Sequence, residues 1–314
     1  MGRRWAVVVV ALVVGVAALV WPSLPEDAAE ASLTAPPGTA APSTADGPAT
    51  ADRPSTAGGP SATAPADTPH PAAPRAAGTP APDLPAAVAR AAEVGAGVDL
   101  GLAVVDLDTG AAAGSGADTP FRSASLSKLL VAVDLLTSGE VPSDDLDLLS
   151  RALRLSDDDA MNALWTLHDG MGAIDRVAAR AGLTTTRAPA DASQWGDVEM
   201  SAADVARLYR YVLTGLPSAD REFVVTALSS ASPTAADGFD QAYGLLAPGV
   251  DAYAKQGWMW YLPADLHLHS AGVVANRYAV AVLSVQTGVD EQDAKDRLTA
   301  ITTALISGLT GPAG

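Results

Sequence analysis

The sequence predicts an α+β fold in which strands from both ends of one domain form an antiparallel sheet. Two observations support this prediction. Apolar residues alternate or run continuously, as in strands, at residues 97–116 and again at 251–286. Between these stretches, apolar residues recur with helical spacing through residues 125–213. A helical subdomain is therefore expected in the middle of the domain.

The predicted elements are separated by turn and capping residues. The early strands form a hairpin, because aspartate and glycine at 108–110 supply turn geometry. Helices are predicted at 84–95, 125–136, 143–155, 157–168, 172–181, 201–213 and 290–309, and the late strands at 251–259, 266–275 and 277–286.

The first 83 residues differ from the domain that follows. Arg3 and Arg4 precede an uncharged apolar run, which predicts an export signal at residues 1–22, either a cleaved signal peptide or a transmembrane signal anchor. Residues 23–83 are rich in Ala, Pro, Thr, Ser and Gly, a composition that predicts a disordered linker. The folded domain is expected at 84–314, outside the cytoplasm, and secreted or membrane-anchored.

The composition argues against several partners and chemistries. The chain has 36 acidic and 19 basic residues and a net charge of -17, which argues against binding to nucleic acid. It has no cysteine, which excludes disulfides, a thiol nucleophile and a lipid-modified N-terminal cysteine. No cofactor is predicted. No metal site is predicted either, because His267 and His269 share a strand face without an evident third ligand.

The stretch SLSK at residues 125–128 places a serine three positions before a lysine. On a helix this spacing puts both side chains on one face. The chain has only three lysines among its 19 basic residues, and a buried lysine, unlike an arginine, can lose its proton and act as a base. Ser125 is predicted to be an exposed nucleophile at a helix start, with Lys128 as its base. The alternative role for Ser125 is a helix N-cap.

Two more short motifs follow in order, SDD at 156–158 and KQG at 255–257. Together with SLSK they resemble the S-x-x-K, S-D-N and K-T-G motifs of the class A serine β-lactamases and the related penicillin-binding D,D-peptidases. The resemblance covers about residues 84–309. It implies a three-layer α/β/α fold with an antiparallel sheet and a helical subdomain. It also implies acyl-enzyme chemistry on a β-lactam or a peptidoglycan-like peptide.

The resemblance implies a role for each motif residue. Ser156 would shuttle a proton between Lys128, Lys255 and the leaving group, although it also suits a helix N-cap and both roles are compatible. Lys255 would lower the pKa of Lys128 by its charge, or else be a solvated lysine on an edge strand. Gly257 would lie beside the cleft, and the backbone N–H groups of the nucleophile and of Trp258 would bind the oxyanion.

The sequence departs from the family pattern at three places. Asp158 replaces an asparagine, and an ionised aspartate cannot donate a hydrogen bond to a substrate carbonyl. Gln256 replaces a threonine, so a substrate contact through a hydroxyl is lost or passes to an amide. The segment at 184–200 lacks the E-x-x-L-N pattern whose glutamate activates water for deacylation, and Asp191 is the nearest candidate for that base.

Two functions of different classes are compatible with these patterns. The first is an exported serine hydrolase that acylates Ser125. The second is a catalytically inactive binding module of the same fold at the cell wall, which the departures at Asp158, Gln256 and 184–200 favour. The position of Lys128 is expected to discriminate between them. A lysine that points away from Ser125, or that Asp158 neutralises in a closed salt bridge, favours the binding module.

Overall fold

The computed structural model describes residues 82–262 and 264–310. The predicted export signal and almost all of the predicted linker lie outside the described residues. No helix within 82–262 or 264–310 combines the length and the apolar character needed to cross a membrane.

A five-stranded antiparallel sheet forms the centre of the domain. The strands of the described residues are β1 (Asp99–Asp106), β2 (Ala112–Ser115), β3 (Pro120–Arg122), β4 (Glu199–Ser201), β5 (Ala252–Tyr261), β6 (Asp265–Val274) and β7 (Tyr278–Thr287). Their order in this sheet is β2-β1-β7-β6-β5. A separate pair is formed by β3 and β4. The strand register places Leu102 of the early hairpin opposite Val282 of the last strand. The sheet is therefore complete only when both ends of the domain come together.

Helices cover both faces of the sheet and produce three layers. The first and last helices pack on one face, and the helices between them form the subdomain on the other. The predicted α+β fold with three layers is therefore confirmed. The helices are α1 (Leu84–Val94), α2 (Ser127–Thr137), α3 (Ser143–Arg154), α4 (Asp158–Leu167), α5 (Gly170–Ala181), α6 (Ala202–Thr214), α7 (Ser218–Ser229) and α8 (Glu291–Thr310).

Strand alternation determines which side chains reach which layer. Leu102 and Val104 of β1 pack with α1 and α8, while Ala103 and Val105 pack with the helical subdomain. In the subdomain, α2 is buried from Ser127 to Leu136, as expected of a helix surrounded by other elements. This central helix starts immediately after the turn that carries Ser125.

The predicted elements are present to within about two residues, but the sequence patterns missed one α-helix and two strands of the described residues. No helix was predicted in the region of α7. The strands β3 and β4 are three residues each, which is too short to show alternation. They pair Phe121 with Met200, and Ser123 N–H donates to Val198 O at 2.7 Å. This contact holds the 184–200 segment beside the SLSK turn.

Candidate active site

Ser125 lies in a 3₁₀ turn, Ala124–Leu126, that leads into α2. Ala124 has a φ of 46°, in the left-handed region that residues other than glycine rarely adopt. Such strain persists where the surrounding structure imposes it, and it is concentrated at functional sites. Ser125 is only 4% exposed, contrary to the expected exposed position, because β5 and the Trp195–Asp197 turn pack against it. The N-cap of α2 is Leu126, without a side-chain bond, so Ser125 does not cap the helix.

Lys128 points at Ser125. Its Nζ lies 2.7 Å from Ser125 Oγ, 2.7 Å from Ser156 O and 3.2 Å from Ser156 Oγ. It also forms an ion pair with Asp158 Oδ1 at 2.5 Å. Burial lowers the pKa of the Lys128 amino group below its ordinary value, and the Asp158 carboxylate partly opposes this shift. The amino group is therefore in contact with the hydroxyl that it would deprotonate.

Ser156 connects the two lysines. Its Oγ accepts from Lys255 Nζ at 2.7 Å as well as from Lys128. The N-cap alternative is wrong for Ser156, because the cap of α4 is Asp157, whose carboxylate accepts from Ala160 N–H at 3.0 Å. Ser156 itself has a φ of 52°. This left-handed residue turns the chain so that the serine side chain faces the lysines rather than the helix end.

Lys255 is 1% exposed, so the alternative of a solvated edge-strand lysine is wrong. Its Nζ also donates to Gln256 O at 3.0 Å. Burial, reinforced by the positive charge of Lys128, places the pKa of Lys255 well below its ordinary value. The backbone of Lys255 is bonded to the helical subdomain, because Lys255 N–H donates to Tyr209 Oη at 3.1 Å.

Gly257 permits the close approach of β5 to the serine turn. A Cβ at this position would lie 2.9 Å from Ser123 O and 3.3 Å from Leu126 Cγ, too near to be accommodated without movement. The next residue, Trp258, lines the cavity beside Ser125. Its ring stacks on Phe239 with the centroids 4.4 Å apart. The predicted role of its backbone N–H as an oxyanion donor stays a prediction.

Gln256 points away from the site. It is fully buried, and its Nε2 donates to the backbone carbonyls of Gln241 and Tyr243. Alternation along β5 explains this direction, because the Lys255 side chain points toward the subdomain and the Gln256 side chain points to the opposite face of the sheet. The prediction that Gln256 contacts the substrate is therefore not supported by its position.

The 184–200 segment places a tryptophan, and not the predicted carboxylate of Asp191, beside Lys128. The Trp195 ring lies over Lys128, with Nζ 4.7 Å from the ring centroid, and Trp195 Nε1 donates to Asn162 Oδ1 at 2.8 Å. Asp191 is exposed and does not line the cavity. It accepts from the N–H and Oγ of Ser193 at 2.9 and 2.8 Å, and these bonds lower its pKa. Its position does not support the predicted role of deacylation base.

A cavity of about 320 Å³ opens beside Ser125. Its walls come from the serine turn, α4, the 184–200 segment and β5. Asp158 is the only charged side chain in this lining within the described part of the chain. The lining residues are Ala124, Ser125, Asp158, Asn162, Ser193, Gln194, Trp195, Gly196, Trp258 and Met259.

Several of these lining residues were missed by the sequence patterns. Asn162 follows Asp158 by four residues on α4, and this spacing would have placed it on the same helix face. Trp195 and Met259 carry no comparable local signal, because only the folding of their segments onto the serine turn brings them to the cavity.

His269, one of the two histidines of β6, is held by backbone groups of neighbouring strands. His269 Nε2 lies 2.7 Å from Arg122 O, and its Nδ1 accepts from Ser284 N–H at 3.2 Å. Burial, together with the neighbouring His267, lowers the pKa of His269 to about 3, so the ring is neutral and braces β3. Across the described residues, no group of three or more His, Cys, Asp or Glu side chains is placed to hold a metal ion.

Comparison with known proteins identifies both relatives and fold neighbours. No protein-family model matches the chain. Proteins of Mycobacterium bovis and Mycobacterium tuberculosis, named "Putative lipoprotein LppW", are 33% identical to it over 224 residues. These matches cover 66% of this chain and 70% of each relative.

Solved structures of class A and other β-lactamases share the fold. A class A β-lactamase from Bacteroides cellulosilyticus superposes with a TM-score of 0.60 at 13% identity, covering 72% of this chain and 98% of that one. A β-lactamase from Burkholderia vietnamiensis gives a TM-score of 0.57 at 20% identity, covering 73% and 98%. One from Chitinophaga pinensis gives 0.57 at 17% identity, covering 70% and 97%.

Proposed function

Because the chain belongs to the family of the mycobacterial LppW proteins and has the fold of the class A β-lactamases, we propose that it is an exported serine hydrolase that forms an acyl-enzyme at Ser125. The observation that carries this proposal is the 2.7 Å contact between Lys128 Nζ and Ser125 Oγ. The proposed acyl donors are a β-lactam or a peptidoglycan-like peptide, the former because the fold neighbours are named β-lactamases.

In the proposed acylation, Ser125 Oγ attacks the carbonyl carbon and its proton passes to the amine of Lys128. Burial lowers the pKa of both lysines, which favours a neutral amine at the site. Ser156 connects the two amines. The connected groups can therefore accept the serine proton and deliver it to the leaving nitrogen as the scissile bond breaks.

The site offers no evident general base for the second half-reaction, the hydrolysis of the acyl-enzyme. Asp191 lies outside the cavity lining, and Asp158 is paired with Lys128. General-base assistance is worth about 10²- to 10⁴-fold in rate. We therefore expect acylation to be detectable and deacylation to be slow, so that the acyl-enzyme accumulates.

Export is the second part of the proposal. It is supported by the charged start and apolar run of residues 1–22, and by the lipoprotein name of the mycobacterial relatives. The 314 residues include no cysteine, so any attachment to the membrane would use the apolar segment rather than a lipidated cysteine. Cell fractionation tests export, and N-terminal sequencing of the extracytoplasmic form separates a retained anchor from a cleaved signal. Intact chain confined to the cytosol would refute this part.

Intact-mass spectrometry of the purified protein tests acylation. The probes are a charge-neutral fluorophosphonate, a penicillin, and a D-Ala-D-Ala peptide or thioester. A lasting adduct is expected on the wild type and on Ser127→Ala, because Ser127 Oγ donates to Ala124 O and does not line the cavity. The adduct should be absent from Ser125→Ala and much slower to form on Lys128→Ala.

Two outcomes would contradict the proposal. Rapid penicillin hydrolysis without accumulation would refute slow deacylation. Failure of every probe to modify Ser125 would refute the enzyme and favour a binding module at the cell wall.

The binding module is the second candidate, because the Asp158 ion pair opposes loss of the Lys128 proton and the Trp195 ring covers the amine. It predicts that calorimetry detects binding of cell-wall peptides with equal affinity for wild type and Ser125→Ala.

A further inference from the structure

The cavity beside Ser125 has a negatively charged lining, which disfavours an anionic ligand. Its one charged lining residue within the described chain is a carboxylate, Asp158, whose side chain is 56% exposed. One oxygen, Oδ1, pairs with Lys128. No described residue is bonded to the other oxygen, so Asp158 presents a free acceptor to whatever occupies the cavity.

The two lysines near the cavity offer no accessible amino group to a ligand. Lys128 and Lys255 are each 1% exposed, neither lines the cavity, and their amino groups are already bonded within the protein. A further carboxylate, Asp237, lies outside the lining and accepts from Nε1 of the lining residue Trp258 at 3.2 Å. A ligand carboxylate placed here would lose its hydration and meet no free cation.

The distance between Asp158 and Ser125 limits which part of a ligand Asp158 can contact. Ser125 Oγ and Asp158 Oδ1 both lie within hydrogen-bond reach of the same Lys128 Nζ, at 2.7 and 2.5 Å. The two oxygens therefore lie no more than about 5 Å apart, so a polar group on the carbon next to a carbonyl attacked by Ser125 is within reach of Asp158.

We propose that this cavity selects acyl donors that carry an ammonium group on the carbon next to the reacting carbonyl, and that Asp158 is the residue that binds this group. The inference rests on the proposed acylation of Ser125 and specifies its substrate class. During acylation the bond from Ser125 Oγ to the carbonyl carbon forms, the bond to the leaving group breaks, and the serine proton goes to the leaving group. The ammonium group keeps its protons and donates to Asp158. A neutral amide N–H at the same position is a weaker ligand, and a carboxylate there is excluded.

Four thioesters of one thiol test the proposal. They carry alanyl, N-acetylalanyl, propionyl and methylmalonyl groups, which place an ammonium, an amide N–H, a hydrogen or a carboxylate next to the carbonyl. Acylation rates of Ser125 in the purified full-length protein are measured by intact mass, with both enantiomers where they exist. A hydrogen bond to a charged group is worth about tenfold to a hundredfold. Alanyl should exceed propionyl by about this factor, N-acetylalanyl should fall between them, and methylmalonyl should be slowest.

Two matched variants assign the preference to Asp158. Asp158→Asn should remove most of the alanyl preference and raise the relative rate of methylmalonyl. Asp159→Asn changes the same charge in the same helical turn, but Asp159 is exposed and outside the cavity lining, so the wild-type order should persist. Ratios between donors are compared because loss of the ion pair to Lys128 also changes the rate common to all donors.

The outcomes separate this proposal from the one it rests on. Labelling by the fluorophosphonate together with a methylmalonyl rate equal to or above the alanyl rate would overturn the substrate class while acylation stands. An alanyl preference that survives Asp158→Asn would overturn the role of Asp158. No reaction of Ser125 with the fluorophosphonate or any thioester would overturn acylation and this inference with it.

Discussion

Both faces of the sheet bury apolar side chains beneath helices, but the face toward the subdomain also buries the amines of the candidate site. On the side of α1 and α8, aliphatic residues such as Leu102, Val282 and Ile301 pack together. On the side of the subdomain, the sheet buries Lys255 against Ser156 and Lys128. Apolar burial favours folding, whereas the removal of an amine from water opposes it and lowers the amine pKa. The first face therefore serves stability alone, whereas the second gives up part of its stability to hold the candidate site.

Among the changes on the subdomain face, Lys128→Met should have the largest effect on the proposed acylation. Acylation of Ser125 should fall by about 10²- to 10⁴-fold, because the amine in contact with its hydroxyl is lost. The free energy of unfolding should change little, since the buried amine carries a desolvation cost and its partner Asp158 is 56% exposed and stays hydrated without it. Labelling kinetics and urea unfolding measure the two effects. A large loss of stability together with normal labelling would show that Lys128 is structural.

Ile301→Ala tests the opposite face. Ile301 is fully buried in the contact of α8 with the sheet, so the free energy of unfolding should fall by about 2 to 5 kcal/mol. Urea unfolding measures the loss, and the rate of Ser125 labelling under folding conditions should match the wild type. Slower labelling by the folded variant would mean that the two faces are coupled.

Asp204→Asn tests a buried carboxylate that supports the segment over the site. Asp204 accepts from the backbone N–H groups of residues 184–186 at 2.7 to 3.0 Å. Burial raises the pKa of Asp204, but these hydrogen bonds outweigh it and hold the pKa below 3.8. A lowered folded-state pKa stabilises the protein above the unfolded pKa, and this contribution is lost as the pH falls through the folded value.

The variant should therefore be less stable than the wild type at pH 7 by about 1 to 3 kcal/mol. The difference should shrink as the pH falls below the ordinary aspartate pKa. Unfolding at several pH values measures this, and a difference that is constant down to strongly acidic pH would contradict the assignment.

The smallest expected effect is a shift in the pH profile of acylation. Acylation needs an unprotonated lysine, so its rate should rise with pH to a midpoint below 10.5, because burial lowers the pKa of Lys128. Asp158 raises that pKa, so Asp158→Asn should move the midpoint to lower pH. Fluorophosphonate labelling across pH measures it. A midpoint that moves upward would show that Asp158 does not hold the proton on Lys128.

The position of Lys128 does not favour one function alone. It points at Ser125, as the enzyme requires, and it is also paired with Asp158, as the binding module allows. The exposed side of Asp158 leaves this ion pair open to the cavity rather than enclosed. Acylation therefore remains the function that the geometry supports best, with Asp158 as a residue that the ligand itself can engage.

The sequence by itself determined the fold class and the motif residues that lie together. Strand alternation and helical spacing are local properties, and they predicted the elements on both sides of the sheet to within about two residues. The i,i+3 spacing of Ser125 and Lys128 likewise predicted their contact, because a helical chain places such side chains on one face.

Only the tertiary structure decided what surrounds these residues. The burial of Ser125, the inward direction of Gln256 and the ring of Trp195 over Lys128 depend on β5 and the 184–200 segment packing onto the serine turn. The exclusion of Asp191 from the cavity lining depends on the same packing. Such contacts join residues far apart in the chain, and no local spacing specifies them. The charge of the cavity is decided in the same way, because packing buries both lysines and leaves one oxygen of Asp158 free.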